Sequence, residues 1–353
     1  MTPVGPLFGN EEIRGEGVGV GGANKIAWCR KGIREGQSRI VREMTGEMVA
    51  HGGNKGSRRV MEGNMVHPIP DSGIAQTYLI TDENDGLMVV DVGSVGAAQA
   101  VEDFCVHTIK RSLMAIRIIA ATHFHIDHIG GIEALLAKCS PKTTVLFHPL
   151  VKAYLKAGRP LSPMRNWITG LLPTLFGGAF GIRKWSDLAF DGPAGVPLPF
   201  FRDLQRVSYA DRIRYLEENR LPRSRIGFGG WEVIAAPGHT EESVVFYNEA
   251  SGELIAGDLI LGRKGGRGYV NRFCWTEEQS RRSFAALAES IRVRVIYPGH
   301  GPVIWHETDA FRKVDCFGEA PAREGSHETC SGETRNGLRD ERSRKSHQRR
   351  SRR

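Results

Sequence analysis

With 353 residues, 40% hydrophobic and 25% charged, the chain has the make-up of a soluble globular protein, long enough for one large domain or two average ones. No run reaches the roughly 18 apolar residues of a membrane span, and the N-terminus lacks the basic-then-apolar build of a secretory signal. The net charge of +8 hints at nucleic acid, but residues 1–60 and 317–353 each hold ten basic and six acidic side chains, which leaves residues 61–316 neutral.

Residues 1–60 are rich in Gly and charge with little apolar periodicity, and a disordered extension is expected. Gly17-Val18-Gly19-Val20-Gly21-Gly22 fits the dinucleotide pattern G-x-G-x-x-G, but no convincing strand precedes it, so no such site is expected. Met61 and Met65 stand just ahead of the first strand-like residues. One expectation is that the working protein starts near them.

From Thr77 the pattern sharpens. Thr77–Ile80 and Leu87–Asp91 read as two strands joined by the turn Asp82-Glu83-Asn84-Asp85-Gly86. Residues 95–111 read as a helix, and Ile116-Arg117-Ile118-Ile119-Ala120-Ala121 as a buried strand. Next comes Thr122-His123-Phe124-His125-Ile126-Asp127-His128-Ile129-Gly130-Gly131, with a helix expected over 132–138. Three histidines and an aspartate thus sit on a strand-to-helix loop, the edge where strand-plus-helix proteins build sites. His123 and His125 are two apart and point to one side on extended backbone. Asp127 and His128 come next, where the chain turns, so the loop can aim two groups at one cation and two at a neighbour. Imidazole and carboxylate suit Zn²⁺, with bonds of about 2.0–2.2 Å.

Thr144–Phe147 reads as a further strand, with His148 after it in a structural role. Residues 149–229 mix Pro, Gly and aromatic residues, as in Trp167–Gly178, and read as an inserted, partly helical cap. Its apolar residues serve either cap packing or a greasy wall for an acyl or aromatic substrate. Arg159, Arg165 and Arg183 are read first as solvated surface. Beyond the cap three strands end at turn residues: Trp231–Ala236 at Pro237-Gly238-His239-Thr240, Glu253–Gly257 at Asp258, and Arg292–Tyr297 at Pro298-Gly299-His300-Gly301. Ser243–Tyr247 is another strand, and residues 276–290 a helix. Polar ligand-type residues set at strand ends by Gly-containing turns are what a rim site requires. Residues 317–353 are expected to be a disordered basic tail, solvated rather than RNA-binding. Cys29, Cys105, Cys139, Cys274, Cys316 and Cys330 form no C-x-x-C pair, which suits reduced thiols in a cytoplasm.

The His-x-His-x-Asp-His stretch, with the later Pro-Gly-His-Thr, Gly-Asp and Gly-His-Gly motifs, resembles the metallo-β-lactamase superfamily, the fold of glyoxalase II and many lactonases. The resemblance spans roughly residues 66–305. It implies an α/β fold, a four-layer αββα sandwich, within residues 61–316, and a dinuclear metal site at one edge. By the same resemblance the first ion takes His123, His125 and His239, the second takes Asp127, His128 and His300, and Asp258 bridges. A hydroxide between two zinc ions would attack a small carbonyl substrate (thioester, ester or lactone), with Asp127 orienting it or shuttling its proton. Fe or Mn is compatible with these ligands. Asp91 is either a simple turn residue or, as often in the family, a support behind the metal loop. The alternatives are a nuclease or phosphodiesterase with the basic tails as nucleic-acid arms, and a mononuclear iron sulfur dioxygenase. His125 stands where iron oxidoreductases of this fold carry glutamate, which favours a hydrolase. The expected partner is a small molecule, not a membrane; the oligomeric state is left open.

Overall fold

The computed structural model describes residues 65–166, 183–217 and 223–316. The glycine pattern at 17–22, Met61, the stretch 167–178, Cys29, Cys330 and both charged ends lie outside the described residues.

The first sheet has six strands in sequence order: β1 (Met65–Pro68), β2 (Tyr78–Thr81), β3 (Leu87–Val90), β4 (Ile116–Ala120), β5 (Thr144–Phe147) and β6 (Ile213–Tyr215). β1, β2 and β3 pair antiparallel; β3 through β6 pair parallel. The second sheet draws on β7 (Arg223–Arg225), β8 (Trp231–Ala235), β9 (Val244–Asn248), β10 (Glu253–Gly257), β13 (Val295–Pro298) and β14 (Ile304–Trp305), in the order β14-β13-β10-β9-β8-β7. A small third sheet joins β11 (Ile260–Arg263), β12 (Arg267–Val270) and β15 (Val314–Asp315).

Alternation along each strand divides the apolar residues between separate cores. Tyr78, Ile80, Met88 and Val90 face inward and meet Trp231, Val233, Phe246, Ile255 and Tyr297 of the second sheet. Their neighbours Leu79, Leu87 and Val89 face outward, with Ile119, Val145 and Phe147. They pack onto α1 (Val95–Asp103), the short α2 (Ile126–Ile129), α3 (Ile132–Leu136) and α4 (Val151–Leu155). A register shift where β3 meets β4 leaves Arg117 exposed, so that Ile116 and Ile118 serve different cores. On the far side Val245, Tyr247, Leu254 and Ile296 pack under Phe284 and Leu287 of α5 (Glu277–Ser290). The layers are therefore helix, sheet, sheet, helix: the αββα sandwich expected from the resemblance.

The 95–111 helix is an α-helix only to Asp103 and continues as a π-helical turn over Phe104–Thr108. The stretch 149–229 supplies α4, short 3₁₀ turns, and the edge strands β6 and β7, one for each large sheet. No helix among the described residues is long and apolar enough to cross a membrane.

The helix layer meets the 123–131 loop at very close range. A Cβ on Gly131 would fall 1.9 Å from the carbonyl oxygen and 2.4 Å from the carbonyl carbon of Ser94, the N-cap of α1, and both contact atoms are backbone. Gly131→Ala is therefore expected to destabilise the fold by about 1–3 kcal/mol through overpacking. Gly192→Ala, with nothing within 4 Å of the added carbon, is its control. Urea unfolding of both variants measures the difference.

Candidate metal centre

The parallel strand β4 ends at Ala120, and Asp91, just past the neighbouring β3, catches the start of the histidine loop. Asp91 is fully buried with a left-handed φ of 59°. Its carboxylate accepts the Thr122 N–H at 2.8 Å and the Thr122 hydroxyl at 2.8 Å, and stands 3.0 Å from His128 Nδ1. Asp91 thus supports the loop from behind, and of its two sequence readings the turn residue alone is too little.

The second sheet brings its own turns to the same edge. The Val244 N–H donates to the Thr122 carbonyl at 2.8 Å. The Gln76 N–H donates to the Gly299 carbonyl at 2.8 Å, and the Tyr78 hydroxyl to the Pro298 carbonyl at 2.6 Å. Gly299 packs so tightly that a Cβ there would lie 2.0 Å from Asp258 Oδ1.

All seven side chains picked out in the sequence converge. His123 Nε2 and His239 Nε2 lie 3.0 and 3.1 Å from His125 Nδ1. Nitrogens bound tetrahedrally at about 2.0–2.1 Å to a zinc ion would be about 3.3 Å apart, close to this spacing. His300 Nε2 is 3.4 Å from Asp127 Oδ2 and 3.4 Å from Asp258 Oδ2. Asp258 also reaches His128 Nε2 at 3.4 Å and His239 Nε2 at 3.5 Å, which puts it between the two groups of histidines. Three overlapping sets have donor atoms within 4.8 Å of one another: His123, His125 and His239; His123, His128 and Asp258; Asp127, His128 and His300. His148 stays outside them and accepts the Leu150 N–H through Nδ1.

The outer ring nitrogens set the tautomers. His239 Nδ1 faces the Phe273 carbonyl at 2.8 Å and His300 Nδ1 the Ile74 carbonyl at 2.9 Å; a carbonyl only accepts, so these nitrogens carry the hydrogen. The Thr122 hydroxyl hydrogen is committed to Asp91, so Thr122 Oγ1 accepts from His123 Nδ1 at 3.1 Å. Nε2 of each ring thereby faces inward, with a free lone pair on His123 and His239. Ligating histidines are oriented in this way in metal sites. His128 Nε2 and Asp258 Oδ1 are buried and make no hydrogen bond. Buried polar atoms without partners are costly, and a cation between them would remove that cost. The residues present therefore fit a metal.

Burial pushes His125 and His239 down to about 4 and, with the neighbouring rings, holds His123 well below the usual imidazole range. Those three rings are neutral, as ligands must be. Burial also opposes the charge on His128 and His300, but Asp91 and Asp258 win at His128 and raise it, and Asp258 and Asp127 raise His300 to about 10. Burial would lift Asp127 and Asp258, yet the surrounding histidines hold both low. The site is thus divided: His123, His125 and His239 stay neutral, while the carboxylates draw positive charge to His128 and His300.

Sequence reasoning missed Thr122, Tyr78, Asn271 and Glu242. Asn271 holds the Phe273 N–H through its Oδ1 at 2.9 Å and lies 3.3 Å from His239 Nδ1. None of the four falls in a ligand pattern, because each acts on backbone or through another side chain.

Residues 71–300 match the family model described as metallo-beta-lactamase superfamily. The chain is 26% identical over 240 residues to the Probable metallo-hydrolase YqjP of Bacillus subtilis, covering 64% of this chain and 67% of that protein. It is 25% identical over 237 residues to a hydroxyacylglutathione hydrolase of Chromohalobacter salexigens, covering 67% of this chain and 65% of that one. Among solved structures, a metallo-beta-lactamase family protein of Thermus thermophilus superimposes with a TM-score of 0.44 at 20% identity, over 71% of this chain and 76% of the other. With the family model covering most of the chain, and the sandwich and its histidine-lined edge in place, the chain belongs to the metallo-β-lactamase superfamily and is a hydrolase of that fold.

Proposed function

We propose that this chain is a dinuclear zinc hydrolase acting on a small carbonyl compound, a thioester, ester or lactone. The observation that carries this reading is the inward convergence of His123, His125, Asp127, His128, His239, Asp258 and His300 in overlapping sets at one edge. His123, His125 and His239 would hold one ion, Asp127, His128 and His300 the other, with Asp258 shared. When bound, two such ions lower the pKa of a water between them and polarise the substrate oxygen, and Fe or Mn would serve in the same ligands.

Asp127 differs from the other six. Its side chain keeps 24% of its surface exposed, while those of His128 and Asp258 are 0% and 8% exposed. It faces the open side of the cluster, where an arriving water and its proton must be handled, so Asp127 orients the water and takes the proton. In the metal-free chain His128 and His300, the latter with Nε2 3.4 Å away, hold that carboxylate ionised. Thr122, Asp91 and the carbonyls of Ile74 and Phe273 hold the rings in place, so little reorganisation accompanies the reaction.

Carbonyl chemistry is favoured over phosphodiester chemistry by the neutral balance of residues 61–316, which gives no net attraction for a polyanion. The similarity to a hydroxyacylglutathione hydrolase supports a thioester in particular. Residues 61–316 form the catalytic body in this reading, with the parts of 149–229 outside β6 and β7 as a substrate-selecting cap. A cytoplasmic location accords with Cys105, Cys139, Cys274 and Cys316, all buried and free.

A panel of thioesters, lactones, β-lactams and phosphodiesters, with metal content measured on the same sample, tests the proposal. The expected outcome is turnover of a thioester or lactone with two ions per chain. Cleavage of phosphodiesters or RNA alone would replace the carbonyl reading, and one iron per chain would replace the dinuclear one. His123→Ala and Asp258→Ala are each expected to lower kcat by more than about 10²-fold while far-UV circular dichroism stays that of the parent. Retained turnover in either variant would refute its assigned role.

A further inference from the structure

Asp91 secures only one flank of the histidine loop. On the other flank stands a second buried carboxylate, Glu242, 2% exposed, three residues after His239. Its Oε1 accepts the N–H of Phe124, the residue between His123 and His125, at 3.2 Å. Its Oε2 accepts the Tyr154 hydroxyl at 2.9 Å, and Tyr154 belongs to α4. Two residues along, the Val244 N–H already bonds the Thr122 carbonyl at 2.8 Å. The Glu242 side chain thus continues, one step further, the pairing that β9 begins with the loop.

The turn from which Glu242 projects is itself fixed. The Thr240 N–H donates to Ser243 Oγ at 3.0 Å, and the two hydroxyls meet at 2.8 Å. The segment after α4 is pinned to the same turn: Arg159 pairs with Glu241, and Ser162 Oγ accepts the Glu241 N–H at 3.1 Å. The Tyr154 ring also lies 6.2 Å, centre to centre, from that of Phe124. A single carboxylate therefore meets the loop carrying His123 and His125, the turn carrying His239, and the first helix of the inserted stretch.

We infer that Glu242 is a positioning residue for the His123–His125–His239 triad, setting its metal affinity and coupling it to α4. The inference rests on the metal reading proposed above. Removing the carboxylate leaves the buried Phe124 N–H and the Tyr154 hydroxyl without their acceptor, and frees the 123–125 backbone to shift relative to His239. Glutamine keeps the Phe124 contact through its amide oxygen and retains the tyrosine contact with its direction reversed, the amide nitrogen donating to the tyrosine oxygen. A purely electrostatic role would not tolerate that exchange, and a positioning role does.

The test is a titration of the full-length, metal-free chain with Co²⁺, read by visible absorption, which reports ligand geometry independently of turnover. Wild type, E242A, E242Q and Y154F are compared with L287A, a truncation in the helix-covered core outside the second sheet. The expected result is that E242A loses about 10- to 100-fold in affinity for one of the two ions with an altered band. E242Q recovers most of the loss, Y154F shows a smaller one, and L287A matches wild type despite its lower stability. The inference is overturned if E242A binds like wild type, if E242Q is as impaired as E242A, or if L287A loses as much as E242A. Failure of wild type itself to take up Co²⁺ would bring down the metal reading, and this inference with it.

Discussion

Lone pairs from neutral imidazoles, aimed at one another across about 3 Å, are the constraint on which the rest of this structure depends. His123 Nε2 and His239 Nε2 both approach His125 Nδ1, and a single hydrogen there could satisfy only one of them. Left to relax, such rings would rotate apart. They are held by acceptors that cannot be negotiated: the Phe273 carbonyl for His239 and, for His123, the Thr122 hydroxyl, whose own hydrogen goes to Asp91. The fold thus stores an unfavourable arrangement at one edge, and a ligand that binds only this arrangement stabilises the folded state by linkage.

Two sheets share the task of holding that edge. The first delivers His123 to His128 on one continuous loop after β4. The second delivers His239, Asp258 and His300 after three different strands. Correct spacing therefore depends on the registration of one sheet on the other. Tyr78 illustrates how registration is enforced. Its ring packs edge-on against Tyr297 inside the sandwich, centroids 5.3 Å apart, while its hydroxyl bonds the Pro298 carbonyl two residues before His300. The same side chain fills the core and sets the site, so packing errors between the sheets translate directly into displaced nitrogens.

Much of this was legible in the residues, for physical reasons that differ from place to place. The strands of the two inner faces announce themselves because burial on both sides demands unbroken apolar runs such as Leu87–Val90. The seven converging side chains are legible because ligand chemistry restricts residue type and strand ends restrict position. β6 and β7 are not: Ile213-Arg214-Tyr215 and Arg223-Ser224-Arg225 are short edge strands, and an edge needs neither apolar alternation nor length. The β11–β12 hairpin is hidden by its glycines. Glu242 is the clearest failure of sequence logic. In Glu241-Glu242 one carboxylate pairs with Arg159 at the surface and the next is buried against Phe124 and Tyr154, and nothing in the sequence distinguishes them.

Charge balance ties these observations together. Four buried or largely buried carboxylates surround the histidines: Asp91, Asp127, Asp258 and Glu242. Among the described residues none of the four has an ion pair with lysine or arginine; their partners are imidazoles, backbone N–H groups and hydroxyls. Burying uncompensated carboxylates is expensive, and the usual remedy is a paired cation or a bound metal. Protons on His128 and His300 are the substitute that the metal-free chain uses, which is why the surrounding acids raise those two rings despite their burial. The same electrostatic demand that the acids create is met by protons on His128 and His300, and a cation held by these residues would meet it in their place.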